Sequence, residues 1–259
     1  MVGSLSVICC WSSENADRLS EFLKREIPDG ASCDLVAINE GGLLARSFLA
    51  DYRGEWRKMR SKTGGRLVML GTANHGSFQG VLTLLGRHAL IGMLGLVDLM
   101  HKAEDIRRIF ATFPSMYQSL PSRLVNAAWN ALYRRESYGK AEVSAELLDN
   151  GLRFHKEIAD AVDPERMVCI LGDGKSTVVS VEDPLRLDQE QQWAVTLDGD
   201  GSVAHQYARI EKNGLEVPVY YAPIEHGLLG ADENVANAVV EILDRGTTQL
   251  LPIQPAARG

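Results

Sequence analysis

Residues 33–46, CDLVAINEGGLLAR, place a short apolar run directly before a pair of glycines. The run Leu35–Ile38 contains no polar residue, which predicts a strand that is buried on both faces. A sharp break follows, and Gly41 and Gly42 then open an apolar helical pattern. A strand, a tight turn and a helix in this order predict one unit of an α/β fold with a parallel sheet.

The turn in this unit, Ala37-Ile38-Asn39-Glu40-Gly41, follows the layout of a nucleophile elbow, G-x-S-x-G, with Asn39 at the nucleophile position. An elbow residue usually has a positive φ, and asparagine is among the few non-glycine residues that tolerate one. The side-chain amide is not a useful nucleophile, because the lone pair of its nitrogen is delocalised. The alternative is an ordinary strand-to-helix turn of some other α/β fold.

Composition indicates an ordinary globular chain of 259 residues, either one large domain or a domain with an insert. The formal net charge of -7 argues against a nucleic-acid-binding surface. The four cysteines lack metal-binding spacing, which predicts buried thiols in a reducing compartment and hence a cytoplasmic protein without metal or cofactor. No signal peptide is evident at the start, and the apolar stretch 89–100 is too short to span a bilayer, so we expect no transmembrane segment.

Strand and helix patterns alternate along most of the chain, which predicts a mostly parallel sheet wrapped on both sides. Between residues 80 and 162 only helical patches appear, and we expect them to form a cap over the mouth of the sheet. The core is therefore expected to comprise residues 1–79 and 163–259. Predicted strands cover 5–11, 34–38, 66–71, 167–171, 178–181, 193–197 and 217–221; predicted helices cover 15–26, 41–52, 80–99, 103–111, 122–133, 144–161 and 233–243; residues 53–65 and 247–259 are predicted to be a polar connection and a loose tail.

Two polar loops in the second half, 198–203 and 223–228, carry the candidate acid Asp200 and the candidate base His226. Each loop is expected to follow a core strand at its carboxyl end, where α/β sheets place ligands and catalytic groups. An aspartate and then a histidine after a strand-turn-helix unit is the chain order of α/β hydrolases. Asp200 would orient the imidazole and His226 would shuttle a proton. An Asp-Gly-Asp-Gly loop alone is also a common turn and is similar to a calcium loop, although the acidic spacing stops after two residues.

Five motifs in order resemble the lecithin:cholesterol acyltransferase-like branch of the α/β-hydrolase (lipase and esterase) superfamily. Residues 34–46 resemble its DLV[AG]HSMGGLVAR elbow, and residues 67–77 resemble its LVxLGTPNHGS strand and loop, with Ala73 in place of proline. Residues 112–121 resemble the cap segment TFPxxYQLLP, residues 199–203 resemble the GDGTV loop that holds the triad acid, and residues 226–229 resemble the triad-histidine loop.

This resemblance implies an α/β-hydrolase-type sheet with a helical cap, and ester or acyl-lipid substrates. It places the triad positions at Asn39, Asp200 and His226, and one oxyanion-hole donor at the backbone N–H of Glu40. Where the family has His-Ser-Met, this chain has Ile38-Asn39-Glu40, so the nucleophile is lost and a pseudoenzyme is expected. Family members also begin with additional strands and a His-Gly-type loop, so an N-terminally truncated sheet is expected.

Three functional hypotheses stay open on the sequence alone. The chain could retain a cleft for acyl or lipid-like ligands, in which cap aromatics line an apolar substrate pocket, with Phe113 and Tyr117 as the chosen substrate-binding residues; alternatively, these aromatics form the core of the cap. The aromatics in question are Phe110, Phe113, Tyr117, Trp129, Tyr133 and Tyr138. The chain could instead be an interaction module, in which the exposed sheet edge pairs with a second copy or another chain. It could also be an active acyl hydrolase or O-acyltransferase that another segment completes.

Overall fold

The computed structural model describes residues 12–28, 31–61, 64–97 and 101–257, so the predicted strand 5–11 lies outside the described residues. The described chain has a mixed α/β architecture built on a four-stranded sheet. The strands are β1 Leu35–Ile38, β2 Leu67–Leu70, β3 Met167–Gly172, β4 Thr177–Val181, β5 Trp193–Thr196, β6 Glu211–Lys212, β7 Leu215–Glu216 and β8 Val219–Ala222. The main sheet has the order β1-β2-β3-β8 with all neighbours parallel, while β4-β5 and β6-β7 are antiparallel pairs.

Helices cover both faces of the main sheet, as a parallel sheet requires. The α-helices are α1 Ser12–Glu26, α2 Gly41–Asp51, α3 Arg53–Arg60, α4 Phe78–Leu84, α5 Ala89–Val97, α6 Ala103–Phe110, α7 Pro114–Gln118, α8 Ala145–Glu157, α9 His205–Ala208 and α10 Glu233–Arg245, and short 3-10 helices lie at Ala127–Tyr133, Arg135–Tyr138 and His226–Leu228. Alternate residues of β2 separate the two cores: Met69 belongs to the larger core with α1 and α2, and Val68 to the smaller core with α10.

Strand β1 forms an edge of the main sheet as the described residues define it. The backbone N–H groups of Leu35 and Asn39 donate to Arg66 and Leu70 on the β2 side. The backbone groups of the alternate residues Val36 and Ile38 therefore face away from β2. These two residues are 47% and 46% exposed, unlike the fully buried residues of β2. The prediction of a strand buried on both faces is therefore wrong for β1.

Two local predictions are corrected by packing. Residues 53–60 form α3 rather than a polar connection, because Trp56 and Met59 face inward one helical turn apart. The C-terminal residues are docked rather than loose: Leu251 is buried, and the N–H of Tyr221 donates to the carbonyl of Pro252 at 2.9 Å.

The predicted helix 80–99 is two helices, α4 and α5, separated by a turn in which Gly86 has a φ of 71°. Among the described residues, one helical stretch, Phe78–Leu96, is long and apolar enough to cross a membrane by length and composition. It is divided into helices of 7 and 9 residues. Each is shorter than the roughly 20 residues that a spanning helix needs.

The buried His155 on α8 makes stability depend on pH. Its side chain is 3% exposed, and Nε2 donates to the carbonyl of Leu120 at 2.9 Å. Burial lowers the pKa of His155 to about 3. The unfolded chain therefore takes up a proton below about pH 6.5 that the folded chain does not, so stability falls as pH falls from about 6.5 towards 3.

Between pH 6.5 and 5 we expect His155 to lower the free energy of unfolding by about 2 kcal/mol, measured by urea denaturation. The variant His155→Gln keeps a hydrogen-bond donor and cannot titrate. Its pH dependence should be shallower than that of the wild type by this amount. Parallel pH profiles for the two proteins would contradict the assignment.

Candidate functional site

The turn after β1 has the elbow geometry. Asn39 has a φ of 52°, which confirms the predicted positive φ. Its N–H donates to the carbonyl of Leu70 at 2.9 Å, and its own carbonyl accepts from the N–H of Gly42 and from Oγ1 of Thr72. The neighbouring strand and its following loop therefore hold the turn at two points, and α2 itself supplies the third bond. The Asn39 side chain is exposed to solvent.

Gly42 allows α2 to pass close to the loop that follows β2. A Cβ on Gly42 would lie 2.2 Å from Oγ1 of Thr72, whereas a Cβ on Gly41 would meet nothing closer than 3.8 Å. A glycine is therefore needed at the second of the two positions. This close approach brings the start of α2 and the carboxyl end of β2 together around Asn39.

His226 and Asp200 form a hydrogen-bonded pair. Nδ1 of His226 donates to Oδ2 of Asp200 at 2.8 Å, and the backbone N–H of His226 donates to the carbonyl of Asp200 at 2.9 Å. Oδ1 of Asp200 accepts from the N–H groups of Ser202 and Val203 at 2.9 and 2.7 Å. Asp200 is 2% exposed, so these bonds fix its carboxylate. With a neutral imidazole, donation from Nδ1 leaves the lone pair of Nε2 available as a base.

The acid loop reaches this position by a different route from the predicted one. Residues 198–203 follow β5, which belongs to the β4-β5 hairpin and not to the main sheet. The hairpin leaves the carboxyl end of β3 and returns beside it, where Lys175 and Asp200 form an isolated bridge. A Cβ on Gly172, the last residue of β3, would lie 2.4 Å from Cβ of Asp200. The His226 loop does follow a core strand, β8, as predicted.

The elbow and the pair meet at the carboxyl end of β2. Asn39 is hydrogen-bonded to Leu70, and the next residue, Gly71, has a φ of 62°. A Cβ on Gly71 would lie 3.2 Å from Nδ1 of His226. Asn39, Glu40 and His226 line the same cavity. Asn39 and the hydrogen-bonded pair of His226 and Asp200 therefore border one cavity.

This cavity has a volume of about 1260 Å³, somewhat above the roughly 300–1,000 Å³ of most small-molecule sites. It extends from His226 along β1 to α1, and residues of the segment 80–119 line part of it. Its apolar lining includes Leu19, Phe22, Leu23, Ile27, Leu35, Val36, Ile38, Leu43, Leu44, Leu90, Ile91, Phe110, Met116 and Val203.

Of the cap aromatics predicted to line a pocket, Phe110 lines this cavity, whereas the two chosen as substrate-binding residues do not. Tyr117 is completely buried in the larger core, where its hydroxyl donates to the carbonyl of Ala111 at 2.7 Å. Phe113 packs edge-on against Phe110, with ring centroids 5.6 Å apart. Neither Phe113 nor Tyr117 lines the cavity, whereas Phe110 and Met116 do. An aromatic or apolar side chain is equally compatible with the wall of a cavity and with a protein core, so the sequence did not distinguish these four residues.

Several polar lining residues were missed by the sequence reasoning. Ser77 caps α4 by accepting from the N–H of Gln79, and Nε2 of Gln79 donates to the carbonyl of Gly201 at 2.9 Å. This bond connects the cap to the acid loop. Ser77 could have been predicted as a helix-capping residue, because serine is favoured directly before the first residue of a helix. No pattern in the sequence pointed to Gln79.

Glu40 occupies the N-cap position of α2 and is partly buried at the cavity. Its side chain makes no capping hydrogen bond to the helix. Burial raises the pKa of the Glu40 carboxyl. The proposed oxyanion donor, its backbone N–H, lies at the positive end of α2.

One further cluster has atoms placed for metal binding. Ligand atoms of Asp173, Asp198 and His205 lie within 4.8 Å of one another. Nε2 of His205 lies 2.9 Å from the carbonyl of Gly172, and Oδ2 of Asp173 accepts from the N–H of Ala256. Two of the three residues are thus engaged in holding loops together, and the cluster alone does not define a metal site.

No protein-family model and no curated protein matches this chain. Among solved structures, the chain is similar to one titled "The crystal structure of Tle4-Tli4 complex", with a TM-score of 0.44 and 11% sequence identity. The similarity covers 76% of this chain and 55% of that chain, so this chain spans little more than half of the solved one. A similarity this slight identifies neither a family nor an activity.

Proposed function

We propose that this chain is an α/β-hydrolase-like protein of the lipase, esterase or acyltransferase type that binds an acyl or lipid-like ligand without turning over esters by a serine route. The observation that carries this proposal is the elbow itself. Asn39 has a positive φ at the nucleophile position and lines one apolar cavity together with His226. The hydrogen bond between His226 and Asp200 supports their roles as base and acid in this proposal, in which an amide replaces the attacking hydroxyl.

The loss of the nucleophile is expected to reduce the rate of ester hydrolysis so far that no other feature of the site could compensate. In a well-studied triad enzyme, removal of the serine costs roughly a million-fold in kcat. His226 could still act as a base towards water, but no described hydroxyl or thiol is hydrogen-bonded to its ring. The cavity keeps its apolar lining whatever occupies position 39, so ligand binding does not require the lost group.

We expect no hydrolysis of p-nitrophenyl butyrate or laurate by the purified protein above the buffer rate. Asn39→Ser should restore only part of the rate of a triad enzyme, because the N–H of Glu40 is the one oxyanion donor identified among the described residues, and a lost donor costs about 10²–10³ in kcat. Turnover that survives Asn39→Ala and disappears in His226→Ala would reveal another nucleophile. Such a result would favour an active hydrolase or acyltransferase, for example one completed by another segment.

A second candidate function is protein interaction at the β1 edge, which could recruit a second copy or another chain. Val36 and Ile38 are exposed, and their backbone groups face away from β2. Within the described part of the chain this edge has no partner strand, and unpaired strand edges recruit further strands. We expect Ile38→Lys to abolish any concentration-dependent dimer seen by size-exclusion chromatography with light scattering. Val195→Lys, on the exposed β5 hairpin strand, serves as the matched control. A dimer that survives Ile38→Lys would exclude this edge.

A further inference from the structure

The charged groups around the cavity are of one sign. Its ionisable lining consists of the carboxylates Glu26, Asp34 and Glu40 and the imidazoles of His88 and His226, and no described lysine or arginine lines it. Two of the carboxylates are already engaged, since Glu26 pairs with Arg25 at 2.7 Å and Asp34 accepts from the N–H of Arg66. No described cation pairs with the carboxylate of Glu40. Glu40 is therefore the charge that a bound ligand would meet beside Asn39.

The two imidazoles do not offset this charge. Burial lowers the pKa of His88, so it is neutral at neutral pH. His226 is hydrogen-bonded to Asp200, so the pair carries either no net charge or one negative charge. The nearest buried cation of α2, Arg46, donates instead to the backbone carbonyls of Asn74, Ala161 and Ile158.

The N-terminus of α2 carries a partial positive charge, which offsets part of the negative charge of the carboxylates. Its effect corresponds to about half a positive charge. Ionised Glu40 carries a full negative charge on the N-cap residue of the same helix. The local balance is therefore negative, and a bound carboxylate would add a like charge in a partly desolvated site.

The stretch of β1 that lines the cavity is long enough for a single extended alkyl chain. Its lining follows β1 from Asp34 to Asn39, about 17 Å at about 3.3 Å per residue, which is close to the length of an extended chain of about a dozen carbons. Apolar side chains of α1 and β1 form the walls of this part, including Phe22 and Ile38. A head group at the inner end would lie among Asn39, Glu40 and His226.

Resting on the proposed ligand-binding function, we propose that this cavity selects amphiphiles with a cationic head group, an alkylammonium, over neutral ones, and neutral ones over long-chain carboxylates, with Glu40 as the specificity-determining residue. The ammonium would neutralise a carboxylate that burial otherwise disfavours, while the single alkyl chain would fill the apolar part. A fatty acid would place its anion against Glu40.

The test is displacement of the neutral fluorophore N-phenyl-1-naphthylamine from the full chain by dodecylamine, dodecanol and dodecanoate, at neutral pH and below micelle-forming concentrations. We expect dodecylamine to displace the probe at a concentration at least about 10-fold lower than dodecanoate, with dodecanol between them. Glu40→Gln should remove most of this difference between dodecylamine and dodecanoate. Glu157→Gln, an exposed site on α8 outside the cavity, should behave like the wild type.

The outcomes separate the two proposals. Displacement by dodecanol, with dodecanoate equal to or better than dodecylamine, overturns the selectivity and leaves the binding cavity standing. A preference for dodecylamine that Glu40→Gln does not reduce overturns the role of Glu40, and with it this inference. Failure of all three compounds to bind overturns the proposed function itself.

Discussion

Replacing Gly42 with alanine is expected to lower the free energy of unfolding by about 3 kcal/mol, because the added Cβ has no space. It would lie 2.2 Å from Oγ1 and 2.5 Å from Cγ2 of Thr72. Thr72 is 1% exposed, and its hydroxyl donates to the carbonyl of Asn39 at 3.0 Å. Moving Thr72 aside would therefore break the bond that holds the elbow. Denaturation in urea measures the change directly.

Gly41→Ala is the matched control, one position earlier in the same helix. Its Cβ would meet nothing closer than 3.8 Å, so only the helix propensity changes. Alanine in a helix is favoured over glycine by up to about 1 kcal/mol. The two variants should therefore shift stability in opposite directions. Equal effects would mean that α2 does not pass close to Thr72 as described.

Much of the sheet could be predicted from apolar runs and their alternation with helical patterns. The runs at 66–71 and 167–171 correspond to β2 and β3, since a strand buried on both faces has few polar residues. The positive φ of Asn39 followed from its residue type and its position between a strand and a glycine pair. The order of Asp200 and His226 along the chain indicated a pair, and in the structure Oδ2 of Asp200 lies 2.8 Å from Nδ1 of His226.

Features set by distant packing could not be predicted. The β4-β5 pair was readable as two strands, but nothing local shows that they leave the main sheet as a hairpin. Helix α3 is rich in arginine and lysine, and only the inward spacing of Trp56 and Met59 marks it as a packed helix. A tyrosine in an apolar segment such as Tyr117 is equally compatible with the wall of a cavity and with a buried core. Its burial is decided by contacts far along the chain, such as the N–H of Ser144.

Asn39→Cys is expected to create a thiol that reacts about 10-fold or more faster in the presence of His226 than in its absence. A nearby imidazole that can take the thiol proton lowers the pKa of a cysteine and increases its thiolate fraction near neutral pH. Asp200 would hold that imidazole in place through its Nδ1 bond. Cys33 in the same molecule is a built-in reference, because burial raises the pKa of its thiol.

In the proposed function, residue 39 faces His226 and its partner Asp200 and lacks only the attacking atom. The most direct measurement of this central claim is the rate of iodoacetamide alkylation at position 39, resolved by peptide mass spectrometry slightly below neutral pH. The account predicts a fast rate in Asn39→Cys and a slow one in the double variant Asn39→Cys, His226→Ala, with Cys33 unchanged between them. Equal rates at position 39 in the two proteins would contradict it.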